Sequence, residues 1–538
     1  MSLSSAARKT HGAFYTPEDV AEFLTRWAIR TPGDSILDPS AGDGVFLAAA
    51  GRILPTPSKN HVRGIEVLET TCRQTTARLE ELGVACELRC ADFFDVTPRQ
   101  HGMVDAVVGN PPFIRYHRFT GDSRMRALSR AREAGVAISA LTSSWAPFLV
   151  HAITFIRHGG RLAVVAPGEL AHAAYAVPVL QFLCESFRSI EIVAFDRRVF
   201  AELGEDTVLV LADGKGQPLR HFKLHRLQDA SELPMAQLEA GVVLDAPAVA
   251  AGAVRMLEYL LPKATRELYS ALRSHARVST LGALATVGIG YVTGANDFFH
   301  LSTNRAKQLD LPRQYLAEAV RSGSDLRGTI FKVRDWRALA DADGPNLLLL
   351  VPPVAQHLPP ALERYFATGV RQGIHRRYKC RVRSPWYSVP HVRVGDAFLT
   401  YMSGAEPRFV VNAARVRAPN TLHVVRLKAR APVSARSVAT SWRSSLSALS
   451  CELEGHSLGG GMLKLEPSEA ERVLIARVTS LRELRDEVDR LVRTGEPQSR
   501  EATRLVDGLT RNELGLSRSD MLRLQEGVQF LRHRRANR

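Results

Sequence analysis

The chain has 538 residues, of which 45% are hydrophobic and 23% charged, and a formal net charge of +16. At about 100–200 residues per domain, this length supports two to four domains with ample core, and the composition excludes a wholly disordered or collagen-like chain. No apolar run approaches the roughly 18 residues of a membrane span and Met1–Thr10 lacks a signal-peptide core, so a soluble cytoplasmic protein with no membrane partner is expected.

Arg far outnumbers Lys in the cationic surplus, which points to a polyanion and to nucleic acid first. The six cysteines (Cys72, Cys86, Cys90, Cys184, Cys380 and Cys451) form no CxxC pair, so no metal site is expected. Cys86 and Cys90 share a parity that predicts both side chains in a core.

In chain order, Thr16-Pro17 reads as a helix start, with Thr16 as N-cap and Pro17 in the first helical position. Val20, Phe23, Leu24 and Trp27 follow at helical spacing. Short apolar runs predict strands at Ser35–Leu37, Val62–Val67, Ala85–Ala91, Asp105–Val108, Arg161–Ala166, Ile190–Phe195 and Thr207–Leu211. Helical segments such as Val45–Ala50, Glu69–Leu82 and Trp145–Ile156 fall between most of them. The alternation predicts an α/β fold, a doubly wound and mostly parallel sheet of seven strands, with the last antiparallel because no crossover helix precedes it. Leu219–Leu227 is a candidate for one further strand.

The expected domains are an α/β catalytic domain over 1–230, a linker over 231–262 rich in Ala, Pro and Gly, a mixed α+β domain over 263–480, and a helical segment over 481–538. Leu484, Val488 and Leu491 lie on one face of that segment. Arg532, His533, Arg534, Arg535 and Arg538 read as a frayed basic tail.

Chemistry concentrates after the predicted strands. Asp38-Pro-Ser40-Ala41-Gly42-Asp-Gly44 joins the first strand to a helix, and its two glycines allow a tight turn close to a ligand. Glu66 ends the second strand, placed to grip ribose hydroxyls. Asp92 ends the third, placed to accept an exocyclic amine while Phe93 packs on the ring. Three acidic strand ends share one edge, where open α/β sheets bind ligands. After the fourth strand comes Asn110-Pro111-Pro112-Phe113. The prolines have no N–H to donate, so the stiff turn offers acceptors. The Asn110 amide oxygen and the Pro111 carbonyl suit the two protons of one NH2 group, with Phe113 stacking on its ring.

With these motifs, residues 11–212 resemble the class I S-adenosylmethionine-dependent N6-adenine DNA methyltransferases of restriction–modification type, in the gamma motif order. The resemblance implies a methyltransferase sheet with S-adenosylmethionine as cofactor, and a target recognition domain at 263–480. It implies that Tyr15, Thr16 and Pro17 contact the methionine part of the cofactor, flanked by Asp38 and the loop through Ser40, Ala41, Gly42 and Gly44. Glu66 would then hold the ribose, Asp92 and Phe93 the cofactor adenine, and Asn110, Pro111, Pro112 and Phe113 the target adenine. Phe200 resembles a second stacking aromatic, while Phe195 reads as core. Gly288–Phe299, Lys379–Tyr387, Ala418–His423 and Gly459–Pro467 resemble segments of the recognition domains.

The partner implied is duplex DNA, with the target base flipped out. A cognate restriction endonuclease would act on the same site without direct contact, and the enzyme would be a monomer. Arg115, His117, Arg118, Arg124 and Arg126 read as a basic loop for phosphates of the flipped strand. Arg376, Arg377, Lys379, Arg381 and Arg383, interleaved with Tyr378, Trp386 and Tyr387, suit a DNA groove in which some Arg read guanine edges. The competing functions are an RNA or protein-glutamine N-methyltransferase, or a noncatalytic DNA-binding protein on the same scaffold.

Overall fold

The computed structural model describes residues 16–55, 61–116, 118–139, 142–171, 174–200, 206–235, 238–353, 357–458, 460–478 and 484–537. Two compact units make up the chain. One spans residues up to Leu261 and takes in Ser457–Gly460 and the last three residues, and the other comprises Pro262–His456 and Gly461–Arg535. Among the described residues no helix is long and apolar enough to cross a membrane.

The first unit is built on one sheet of nine described strands. They are β1 (Ile36–Asp38), β2 (Val62–Glu66), β3 (Glu87–Cys90), β4 (Val104–Gly109), β5 (Ile156–Pro167), β6 (Phe187–Phe195), β7 (Thr207–Lys215), β8 (His221–Leu227) and β9 (Val242–Val243). Their order is β3-β2-β1-β4-β5-β7-β6-β8-β9. β1 to β5 run parallel, β7 is antiparallel to both β5 and β6, and β8 returns parallel to β6. The expectation of seven strands is corrected to nine. β8 is the further candidate strand, and β9 arises inside the stretch expected to be linker. The described residues of 231–261 therefore belong to the first unit, where β9 pairs antiparallel with β8, and Pro262 opens the second.

The near-continuous apolar runs of β1 and β4 follow from burial on both faces, as parallel strands flanked by helices require. Helices α1 (Glu18–Ala28), α2 (Val45–Ile53), α3 (Glu69–Glu81), α4 (Gly121–Glu133), α5 (Trp145–Thr154) and α6 (Val177–Ser186) supply that cover. One core joins Val20 and Leu24 of α1, Phe46 and Leu47 of α2, and Ala106, Val108 and Val193 of the sheet. Strand order reverses between β1 and β4, which opens a crevice at their carboxyl ends. β3 is the sheet edge, and Cys90 is exposed there, so its expected core placement fails, while the half-buried Cys86 packs against the core.

The second unit holds a five-stranded sheet in the order Ala285–Ile289, Leu422–Leu427, Ala397–Thr400, Phe409–Asn412, Ile330–Phe331. The helices Arg485–Thr494, Gln498–Leu514 and Arg518–Ala536 are built into this unit rather than appended to it. Val488 and Leu491 are buried, and Asp489 accepts hydrogen bonds from the amides of Thr329 (2.8 Å) and Ile330 (3.1 Å) at the sheet edge.

The basic tail is anchored, in contrast to the expected fraying. Arg535 is 4% exposed and donates to Glu452 through two bonds of 3.0 Å. It also donates to the carbonyls of Gly404, Ala405 and Gly461. Arg532 reaches Glu406 at 3.2 Å and Glu452 at 3.3 Å.

Candidate active site

At the crevice, a cavity of about 270 Å³ is lined by Thr16, Ser40, Ala41, Gly42, Glu66, Asp92, Phe93, Asn110 and Pro112, among others. The loop after β1 turns through Gly42 and Gly44 in the left-handed region (φ 52° and 79°). A Cβ on Gly44 would lie 2.7 Å from the Thr75 methyl, so only glycine lets α3 approach this closely. Glu66 ties the loop to the end of β2. Its carboxylate accepts from the Gly42 amide at 3.0 Å and from the Leu68 amide at 2.8 Å.

Asp38 lies under the loop, fully buried. Its Oδ1 accepts from the Ser40 amide at 3.0 Å, and its Oδ2 has no partner among the described residues. Burial pushes its carboxyl up to about 8, against the Ser40 hydrogen bond and with help from the nearby charges of Glu66 and Asp43. The folded chain thus keeps a proton that the unfolded carboxyl releases near its ordinary 3.8. The fold binds more protons than the unfolded chain between these values, so this group makes stability fall as pH rises from about 4 to about 8. Asp38→Asn removes that dependence. Its melting temperature relative to the wild type is expected to climb between pH 5 and pH 8, as thermal denaturation at both pH values would report.

Asn110 follows β4, where Gly109 adopts φ 151° and a Cβ would sit 2.8 Å from Asp38 Oδ1. Thr16 and Ser40 both hold it, one through its side chain and one through its main chain. Its Nδ2 donates to the Thr16 hydroxyl at 3.2 Å, and its carbonyl accepts from the Ser40 hydroxyl at 3.1 Å. Thr16 therefore does not cap the first helix. Pro17 is the N-cap, α1 begins at Glu18, and the Thr16 hydroxyl is spent on Asn110, 94 positions away. Thr16→Val is expected to release the amide and lower kcat about tenfold, with Thr16→Ser near wild type, in a steady-state methyl-transfer assay. Tyr15 lies outside the described residues.

Asp92 is engaged on both oxygens. Oδ1 accepts from the Phe94 amide at 3.0 Å, and Oδ2 from Ser123 Oγ at 3.0 Å and Arg126 at 2.9 Å. Arg126 also pairs with Asp95 at 2.8 Å. Arg124 and Arg126 thus sit on α4, not in a loop, and Arg126 is committed to carboxylates rather than to phosphates. Arg115 and Arg118 are exposed, and His117 lies outside the described residues. Phe93 is 4% exposed and packs at centroid distances of 4.7 Å from Phe148, 4.6 Å from His151 and 5.2 Å from Phe155.

Not every expected residue reaches the cavity wall. Pro17, Asp38, Gly44 and Pro111 do not line it, and Phe113 is half-buried against the core. Phe200 is 6% exposed in that core and does not line the cavity, so it is not placed as a stacking surface; Phe195 is core as expected. Phe119, Ser123, Ser144 and Phe148 line the cavity without having been singled out in the sequence. They sit in helices or loops away from the strand ends, so no strand-end motif marks them.

In the second unit, Arg383 donates to the backbone carbonyls of Thr293 (2.9 Å) and Val292, which corrects its expected role at base edges. Trp386 and Tyr387 are half-buried, and Tyr387 stacks on Phe366 at 4.1 Å, so they belong to a core. Arg381 remains exposed, with its guanidinium 5.9 Å from the ring centroid of the exposed Tyr378.

Residues 1–220 match the family described as N-6 DNA Methylase, and residues 253–510 match the C-terminal domain of the Type II methyltransferase M.Eco57I. The chain is 21% identical over 432 residues to the Type II methyltransferase M.AccI of Acinetobacter calcoaceticus, covering 79% of this chain and 77% of that one. It is 24% identical over 489 residues to the Type II methyltransferase M.XamI of Xanthomonas campestris pv. amaranthicola, covering 87% and 86%. Its fold is similar to that of the Type IIL restriction-modification enzyme MmeI, solved in complex with DNA, with TM-score 0.57 and 12% identity over 96% of this chain and 75% of that one. Against several other solved restriction-modification proteins the chain spans about half to two thirds of their length. The motifs at the strand ends and the two family matches, which between them cover most of the sequence, make this chain a member of the N6-adenine DNA methyltransferase family.

Proposed function

We propose that the protein transfers a methyl group from S-adenosylmethionine to N6 of an adenine flipped out of duplex DNA, as the modification enzyme of a restriction–modification system with the gamma motif order. The observation that carries this reading is the anchoring of Asn110 by Thr16 and Ser40 at the rim of a carboxylate-bearing cavity.

The cavity fits the methyl donor. Glu66 and Asp92 supply acceptors at successive strand ends, Phe93 supplies an apolar wall, and Asp38 Oδ2 is a buried polar atom that finds no partner among the described residues. When bound, S-adenosylmethionine supplies a sulfonium methyl group whose C–S bond breaks as the N–C bond forms.

The protein's task is to prepare the adenine. The N6 lone pair is delocalised into the ring, so the amine is a poor nucleophile. The Asn110 amide oxygen and the Pro111 carbonyl accept hydrogen bonds from its two N–H groups and draw the nitrogen toward tetrahedral geometry, while Phe113 stacks on the ring. Thr16 keeps the Nδ2 end of Asn110 turned away from the amine, so that the amide presents its acceptor. Positioning and fixed dipoles provide the acceleration. Stacking offsets part of the few kcal/mol that flipping the base costs. The enzyme acts as a monomer, and a restriction endonuclease of the same specificity reads the same site independently.

The test is methyl transfer from labelled S-adenosylmethionine to mixed-sequence duplex DNA, followed by nucleoside analysis. Label in N6-methyldeoxyadenosine is the expected result. Label only in RNA or in protein would overturn the substrate assignment, and cofactor binding without transfer to any substrate would leave a noncatalytic DNA-binding protein.

A further inference from the structure

We infer that Ser144 is a positioning residue that sets the Asn110–Phe113 loop for catalysis, acting on the target base through Pro112 and Ile114. The inference rests on the function proposed above for that loop. Ser144 is 1% exposed, and its hydroxyl does two things at once. Its Oγ donates to the Pro112 carbonyl and accepts from the Ile114 amide at 2.9 Å. The Ser144 amide adds a third bond, donating to the Ile114 carbonyl at 2.9 Å. The three bonds bracket Phe113 on both sides.

Chemistry explains why a hydroxyl stands there. Pro111 and Pro112 have no N–H, so the loop cannot tie itself down through its own donors across that stretch. What it offers is a carbonyl at Pro112 and an amide at Ile114. A single hydroxyl oxygen satisfies both, because it donates one proton and keeps lone pairs to accept another.

The position of Ser144 in its helix strengthens the assignment. It is the N-cap of α5, where a serine oxygen ordinarily accepts from the first-turn amides, yet it makes no such side-chain bond. The hydroxyl has been diverted from its local stabilising role to the loop after β4.

The neighbours of Ser144 are themselves fixed. Trp145 is 1% exposed and its indole N–H lies 3.1 Å from the Tyr175 hydroxyl, which in turn lies 3.4 Å from Ser143 Oγ. One turn further along α5, Phe148 packs on Phe93 and lines the cavity together with Ser144, Pro112 and Ile114. The helix that walls the cavity therefore also sets the acceptor loop, and it aligns the adenine relative to the methyl donor.

Ser144→Ala and Ser144→Thr in the full chain test this with two readouts. The first is steady-state methylation of duplex DNA, with S-adenosylhomocysteine affinity measured alongside by calorimetry. The second is hydrogen exchange of the peptide covering residues 110–116. The expected result for Ser144→Ala is a kcat about 10- to 100-fold lower, with KM for DNA and S-adenosylhomocysteine affinity within about threefold of wild type, and faster exchange confined to that peptide. Ser144→Thr, which keeps the hydroxyl, is expected to restore most of kcat and of the protection.

Wild-type kcat or unchanged exchange in Ser144→Ala would overturn the proposal. So would a parallel loss of kcat, cofactor affinity and melting temperature in both variants, the pattern of a merely structural residue. If the wild type methylates no DNA, the functional reading itself fails, and with it the catalytic consequence of the clamp, whatever the exchange data show.

Discussion

Asn110→Ala is expected to lower kcat for methylation of duplex DNA by about 10²–10³-fold, the loss typical of removing one preorganised polar group that acts on the reacting centre. S-adenosylhomocysteine affinity should stay within about threefold, because the side chain is held by Thr16 and is not part of the Glu66–Gly42 cradle. On the proposed mechanism, alanine removes the amide oxygen that accepts one N6–H hydrogen bond and leaves the Pro111 carbonyl alone for an amine with two N–H groups. Single-turnover methylation separates this from a binding defect. A variant that binds cofactor and DNA and transfers methyl at the wild-type rate would remove Asn110 from the chemistry.

Arg535→Ala is expected to destabilise the second unit by about 3–5 kcal/mol, the range for breaking a buried ion pair from one side. The substitution leaves Glu452, whose side chain is 2% exposed, with Arg532 at 3.3 Å in place of the closer Arg535 pair, and takes the Arg535 donor from the carbonyls of Gly404, Ala405 and Gly461. Glu452→Gln should cost less, since Arg535 would keep those three carbonyls and an amide oxygen. Urea denaturation followed by tryptophan fluorescence of both variants checks the order. A loss below about 1 kcal/mol for Arg535→Ala would mean that the helix end contributes no more than a solvated surface pair.

The sheet and its ligand edge were legible because their signals are local. Asp38, Glu66, Asp92 and Asn110 each follow an apolar run, and a run plus an acidic or turn residue is visible in a few positions of sequence. The missing pieces depend on partners far along the chain. Thr16 and Ser144 both resemble helix caps, and nothing nearby reveals that their hydroxyls serve Asn110 and Pro112. Arg126 and Arg383 resemble DNA contacts because a positive side chain carries no mark of the carboxylate or carbonyl it will meet. Phe200 stands in a loose motif, and its depth is set by packing against α1 and the sheet. The basic end of the chain reads as frayed until Glu452, 83 positions earlier, is seen to face Arg535.

The loop after β4 also constrains when this protein becomes competent. Its fixing contacts reach back 94 positions to Thr16 and 70 to Ser40, and forward 32 to Ser144. Contacts of such separation pay their loop-closure entropy before they return any stability, so they form late in folding. During synthesis, a nascent chain whose residues up to Asn110 have emerged already carries every acidic strand end, yet lacks the clamp and the helix that walls the cavity. On the proposed function, methyl transfer is expected only from chains in which Ser144 and α5 have left the ribosome and docked.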